Sequence, residues 1–98
     1  MRIDILTIFP GMCDTVLHES ILGRAVKKGA VELVAQDLRK WTSDRHRTVD
    51  DAPFGGGPGM VMKIEPVSLA LRDLRRPDSR VVFLSPQGRP LTQSRCHE

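Results

Sequence analysis

The 98-residue chain contains no tyrosine, a single tryptophan and three phenylalanines, an aromatic content of 4%. So few flat side chains argue against a single-strand nucleic-acid binder that stacks successive bases on aromatic platforms. Cysteine is nearly as scarce. Cys13 and Cys96 form no C-x-x-C pair and no disulfide framework, and two reduced thiols are expected. No apolar stretch approaches the ~20 residues of a membrane-crossing helix. Asp4 interrupts the apolar run of Met1–Leu6, which is unlike a secretory signal. A soluble cytoplasmic protein is the expectation. There is no internal repeat and no low-complexity tract.

What is present is ordinary globular material: 40% hydrophobic and 28% charged residues, enough for one domain of modest core. The net charge of +3 permits a polyanionic partner without demanding one. It is unevenly spread. Residues 1–38 are net −1, whereas residues 39–63 and 64–98 are each net +2. A nucleic acid would therefore meet the second and third segments.

Periodicity suggests an alternation of strands and helices. Ile3–Phe9 is short, β-branched and closed by Pro10, the pattern of a buried strand. Apolar residues from Met12 to Val26 recur at helical spacing, with Gly29 as a stop signal and a break near Ser20 that allows two short helices. Val31–Gln36 predicts a second strand. Val67–Leu74, behind a first-turn Pro66, predicts a helix. Arg80–Leu84 predicts a third strand, and Thr92 is the candidate cap of a last helix. The expected fold is α/β, a mostly parallel sheet flanked by helices, with ligands at the carboxyl ends of the strands. Residues 38–62 show little periodicity, and a loop that long is usually functional.

The residues with the most chemistry lie in that loop. Gly55, Gly56, Gly57 and Gly59 occupy four of five positions, a costly arrangement unless backbone must approach a partner closely or take positive φ. It fits neither G-x-G-x-x-G, since position 60 is Met, nor the Walker pattern. A tight mobile turn is the alternative. Asp44, His46, Asp50 and Asp51 match no zinc or EF-hand spacing, and Arg45 and Arg47 would repel a cation, so no metal site is assigned. Asp50-Asp51 could serve as paired carboxylates for acid/base work, but adjacent residues of an extended chain point opposite ways, so at most one would face a given site. The duller reading of Asp50 is a loop carboxylate capping nearby amides or pairing with Arg45 or Arg47. Arg39, Lys40, Arg45 and Arg47 surround Trp41; they fit phosphate contacts, or a solvated loop with Trp41 packed on the core. Arg72, Arg75, Arg76 and Arg80 fit the solvent face of a helix. Ser85-Pro86-Gln87-Gly88-Arg89 follows the third predicted strand, where α/β folds bind ligands.

Taken together, "MRIDILTIFP", "ILGRAVKKG", "DRHRTVDDAPFGGGPGMVMK" and "VVFLSPQGRPLTQ" resemble, in order and over essentially the whole chain, the start of the bacterial tRNA (guanine-N(1))-methyltransferases, the TrmD family. The resemblance implies a SPOUT-class α/β fold with a deep trefoil knot, working as a homodimer. It implies methyl transfer from S-adenosylmethionine to N(1) of the guanine 3′ of the tRNA anticodon, with Mg2+ dependence. It further implies that Leu84, Ser85 and Pro86 line the S-adenosylmethionine pocket. Gly55, Gly56, Gly57, Pro58 and Gly59 would lie near the target guanine, and Arg45, His46, Arg47 and Asp50 near the tRNA. Asp50 is the candidate for a supporting role, and no catalytic base is assigned within the chain.

Phe54 stands where the family usually carries an aromatic hydroxyl. The family chain is longer, and residues 1–98 are expected to form a partial SPOUT domain. The knot loops, the general-base aspartate and the C-terminal tRNA-binding domain would be absent. Such a chain should have little or no activity alone. A non-catalytic tRNA-binding or dimerisation module is the alternative function.

Overall fold

The computed structural model describes residues 1–43, 49–51 and 61–97. Strand β1, Arg2–Thr7, alternates Ile3 and Ile5 on one face with Arg2, Asp4 and Leu6 on the other. It pairs in parallel with β2, Glu32–Asp37, so that Arg2 lies opposite Glu32 and Leu6 opposite Gln36. Partners in a parallel register point to the same side, which places Arg2, Asp4, Glu32 and Gln36 together.

Two short helices make the crossover, α1 (Pro10–Leu17) and α2 (Ser20–Lys27), broken where the sequence indicates. Pro10 fills the first helical position, where no amide bond is lost. Just before it, the Phe9 N–H donates to Thr7 Oγ1 at 3.0 Å. Gly29, at φ +73°, ends α2: its N–H donates to the Val26 carbonyl and that of Ala30 to Ala25, both at 3.0 Å. This is the Schellman arrangement that favours glycine.

After β2 the chain turns through a 3₁₀ helix, Leu38–Trp41, capped by Asp37 Oδ1, which accepts from the Arg39 N–H at 3.0 Å. Within 38–62, where lack of periodicity suggests a structureless loop, the described residues 38–41 are thus ordered as a 3₁₀ turn. The same span also contains an antiparallel pair, β3 (Asp50–Asp51) with β4 (Val61–Met62). Helix α3, Ile64–Leu74, follows directly. Helix α4, Gln93–Cys96, begins at Thr92, whose hydroxyl accepts from the Arg95 N–H at 3.3 Å, as the sequence predicts.

The core is small. Among the described residues Leu38, Val49 and Ala70 form its buried centre, with Leu6, Ile8, Trp41 and Val67 packed around it. It joins β1, the 3₁₀ helix, the hairpin base and α3.

The third strand is a correction. Arg80–Leu84 forms no strand and pairs with nothing among the described residues. Among the described residues the parallel sheet is thus a single pair, accompanied by the separate hairpin. Val82, Phe83 and Leu84 are 75%, 81% and 88% exposed. Their β-branched and aromatic character suits a pleated, half-buried surface, and that preference is expressed only against neighbours. Phe83→Ser should consequently alter the stability of this chain by under ~0.5 kcal/mol in urea denaturation, as expected for an exposed site. A loss near the ~3–5 kcal/mol of a buried phenylalanine would show that the segment is packed.

On the polar side of the sheet, Arg2 donates to both Asp4 oxygens, Nε to Oδ2 and Nη2 to Oδ1, each at 3.1 Å. The buried Gln36 adds a bond from Nε2 to Oδ1 at 3.0 Å. The Arg2 hydrogen bond outweighs partial burial and holds the Asp4 carboxyl below its ordinary pKa. A group depressed on folding stabilises above its unfolded pKa of ~3.9, and that contribution fades as pH falls through the folded value. Asp4→Asn is therefore expected to cost on the order of 1 kcal/mol at pH 7. The gap between urea midpoints of variant and parent should close below about pH 4.

Candidate functional site

Loops that leave the carboxyl ends of β1 and β2 converge on one edge, the edge where open α/β sheets bind ligands. Arg39 ties it together. Its Nη1 donates to the Ile8 carbonyl at 2.7 Å, across 31 residues of sequence, and lies 4.0 Å from Asp37 Oδ1. The turn after β1 and the 3₁₀ helix after β2 are thereby joined by a half-buried guanidinium. Thr42 Oγ1 donates to the Arg39 carbonyl at 2.7 Å and closes the far end of the 3₁₀ helix.

The hairpin is anchored from the same region. Val49 is 3% exposed and belongs to the core. Its carbonyl accepts from the Lys63 N–H at 2.6 Å. Asp50 pairs with Met62 and Asp51 with Val61. The strands that flank the glycine-rich segment in sequence are fixed to the core by one buried valine and one cross-strand bond. Asp50 is thus placed on β3 by its backbone. Arg45, His46, Arg47, Gly55, Gly56, Gly57, Pro58 and Gly59 lie outside the described residues.

Leu84, Ser85 and Pro86 are described. Leu84 and Pro86 are exposed and Ser85 is half-buried. Ser85 opens a tight turn: its carbonyl accepts from the Gly88 N–H at 3.1 Å and its hydroxyl from the Gln87 N–H at 3.2 Å. Pro86 and Gly88 hold the second and fourth positions, which suit a β-turn. A Cβ on Gly88 would stand 3.3 Å from the Ser85 oxygen, so the turn tolerates little bulk there. The predicted turn exists, but the strand meant to aim it is unpaired, and nothing described joins it to the Arg39 edge.

Trp41 packs against the core cluster, and its Nε1–H donates to Asp73 Oδ2 at 2.7 Å. Sequence reading missed this bond, the Arg39 clamp and the Val49 anchor. The first two link residues more than 30 positions apart, beyond any local pattern. The lone valine before Asp50-Asp51 was a faint signal for the third.

A parallel βαβ unit with polar loops gathered at its carboxyl edge marks an α/β ligand-binding domain. The particular family follows from comparison with known proteins. The family model described as "tRNA (Guanine-1)-methyltransferase TrmD" matches residues 1–98, and the chain belongs to that family. Curated tRNA (guanine-N(1)-)-methyltransferases from Syntrophotalea carbinolica and Chloroflexus aurantiacus are 50% and 52% identical over 100 and 101 residues. Each alignment takes in 100% of this chain and 40% of the relative. The chain thus spans about two fifths of the length of the curated relatives it matches. The crystal structure of the tRNA (m1G37) methyltransferase from Aquifex aeolicus superposes with a TM-score of 0.68 at 41% identity, covering 74% of this chain and 33% of that one.

Proposed function

We propose that the chain is the amino-terminal part of a SPOUT-class tRNA (guanine-N(1))-methyltransferase, cytoplasmic and homodimeric. The observation that carries the proposal is the family match over residues 1–98; the glycine-rich segment lies in sequence between β3 and β4, whose base is anchored through Val49 and Lys63. Glycines suit the approach of a flat base to backbone. Gly55, Gly56, Gly57, Pro58 and Gly59 are assigned to the target guanine. Arg45, His46, Arg47 and Asp50 are assigned to the tRNA around it, with Asp50 in a supporting role.

Leu84, Ser85 and Pro86 are assigned to S-adenosylmethionine. The exposed Leu84 side chain and the tight turn after it fit one wall of a nucleoside pocket. Bound there, S-adenosylmethionine supplies a methyl group on a sulfonium. Guanine N1 forms the new bond to carbon as the carbon–sulfur bond breaks, and the N1 proton must leave. No residue assigned here takes that proton, and a positioned base usually contributes ~10²–10⁴-fold. Among the described residues no three His, Cys, Asp or Glu side chains converge, so no residue is assigned to Mg2+ and no step runs through it. The 98-residue chain alone should be nearly inert.

The test joins residues 1–98 to the remaining portion of the Syntrophotalea carbinolica relative and measures methyl transfer to tRNA. The chimera should methylate tRNA bearing a guanine 3′ of the anticodon and spare tRNA with adenine there. A folded chimera without transfer overturns the enzyme reading and favours a binding module. Transfer by the isolated chain within about tenfold of the relative overturns the claim that it lacks the base.

A further inference from the structure

The last turns of α3 carry Ser68, Leu71 and Arg72 along one face, and Arg75 follows as the extended residue that ends the helix. With Arg76 and Pro77 they line an open cleft of about 630 Å³. The three guanidiniums in it face no acidic side chain among the lining residues. Asp73, next to Arg72 in sequence, has one oxygen taken by Trp41 Nε1 at 2.7 Å, and Arg72 reaches its other oxygen only at 3.8 Å. Arg76 acts weakly on Asp4, whose carboxyl is already held by Arg2 and Gln36. Among the described residues, neither Arg75 nor Arg76 has a carboxylate within 4.0 Å.

The backbone beneath these side chains is held. The Arg76 N–H donates to Ser79 Oγ at 2.8 Å, and the Ser79 N–H donates to the Arg76 carbonyl at 2.9 Å. Pro77 stands between them. The Trp41–Asp73 bond also seats the 3₁₀ helix, with its exposed Lys40, against this end of α3. Two basic clusters that are separate in sequence, at 39–41 and 72–76, thus become neighbours.

One cation near a helix C-terminus needs no ligand, because the helix dipole favours it. Three arginines around one cleft, at a fixed turn and beside a further lysine, exceed what one dipole satisfies. Arginine's planar fork suits phosphate oxygens. Exposure of all three leaves them able to exchange water and counterions for phosphates.

We propose that Arg72, Arg75 and Arg76, continued by Lys40, bind the sugar–phosphate backbone of RNA and steady it against the domain without reading its sequence. The inference rests on the tRNA reading for its choice of polyanion. It adds an RNA-contacting surface on α3 to the glycine-rich segment. These residues are positioning residues and touch no reacting atom.

The experiment measures binding of tRNA, and of an unrelated RNA hairpin, to the 98-residue chain and to its Arg72→Gln/Arg75→Gln/Arg76→Gln variant from 50 to 200 mM salt. Each lost phosphate contact lowers the slope of log affinity against log salt by ~0.7–0.9. The slope should fall by about 2 for both RNAs, so that the gap between parent and variant narrows about 16-fold across that range. Melting curves should coincide, since the side chains are exposed. An unchanged slope overturns the surface while leaving the methyltransferase reading intact. Slope loss with the hairpin, together with a chimera that transfers no methyl group, sinks the enzyme reading and keeps the surface. No RNA binding by the parent chain overturns the surface outright.

Discussion

Gly23→Ala should unfold much of the amino-terminal half of this chain, or cost roughly 3 kcal/mol if the chain survives it. Gly23 is buried in α2, where that helix leaves the break after α1. A Cβ there would stand 2.5 Å from the His18 carbonyl oxygen and 2.9 Å from its carbon. Both are backbone atoms, so no side chain can swing aside. The break between α1 and α2 is already committed: the Gly23 N–H donates to the Glu19 carbonyl at 3.0 Å, and Ser20 is held at φ +53°, a strained value for a non-glycine residue. His18 is fixed in turn, its Nδ1 2.9 Å from the Asp14 carbonyl. Urea denaturation of the variant should show the loss. A shift under ~0.5 kcal/mol would mean that α1 and α2 move apart freely. Alanine is otherwise the better helix former by about 1 kcal/mol, so a destabilisation is of opposite sign to helix propensity and isolates the packing effect.

The same contrast explains which parts of the fold were legible in the sequence. β1, α1, α2, β2 and the start of α4 are specified locally, by short apolar runs, by Pro10, by the Gly29 stop and by the Thr92 cap, although β1 is half-buried rather than the buried strand its run suggests. Each signal lies within a few residues of its effect. Arg80–Leu84 carries an equally good local signal and forms no strand: strand preference is expressed only through pairing and packing with neighbours distant in sequence, and among the described residues this segment is paired with none of the strands. The 3₁₀ helix and the hairpin failed in the opposite direction: their local signal is weak, and tertiary anchors such as Leu38, Val49 and the Trp41–Asp73 bond hold them. For the candidate site, the turn at Ser85 was legible from Pro86 and Gly88. The Arg39 clamp on Ile8 was not, since nothing around Arg39 announces a carbonyl 31 residues away.

Leu38→Ala should have an effect as large as that of Gly23→Ala, and it should reach the hairpin. Leu38 is 2% exposed and is the largest fully buried side chain among the described residues. Truncating a buried leucine costs ~2–5 kcal/mol, depending on how far the surroundings collapse. Collapse is hampered here, because Leu38 meets Val49 from the hairpin base and Ala70 from α3. Ala70 has no reach to fill the void, and Val49 is held by the bond from Lys63 to its carbonyl. Against a typical total of ~5–15 kcal/mol for a domain, and toward the low end for one with so few buried residues, such a loss leaves a substantial unfolded fraction. The distribution of the loss is more telling than its size. Among the described residues the hairpin pairs two residues per strand, so the order of this base depends on Val49 seated in the core. Hydrogen exchange in the variant should rise first at the Lys63 amide, while the β1–β2 amides remain protected until global unfolding. Uniform loss of protection would show one cooperative unit and would sever the link between this core and the hairpin. If Lys63 opens first, the buried leucine governs the placement of the strands that flank the glycine-rich segment in sequence, and, on the tRNA reading proposed above, substitutions at this core should weaken RNA binding by loosening those strands.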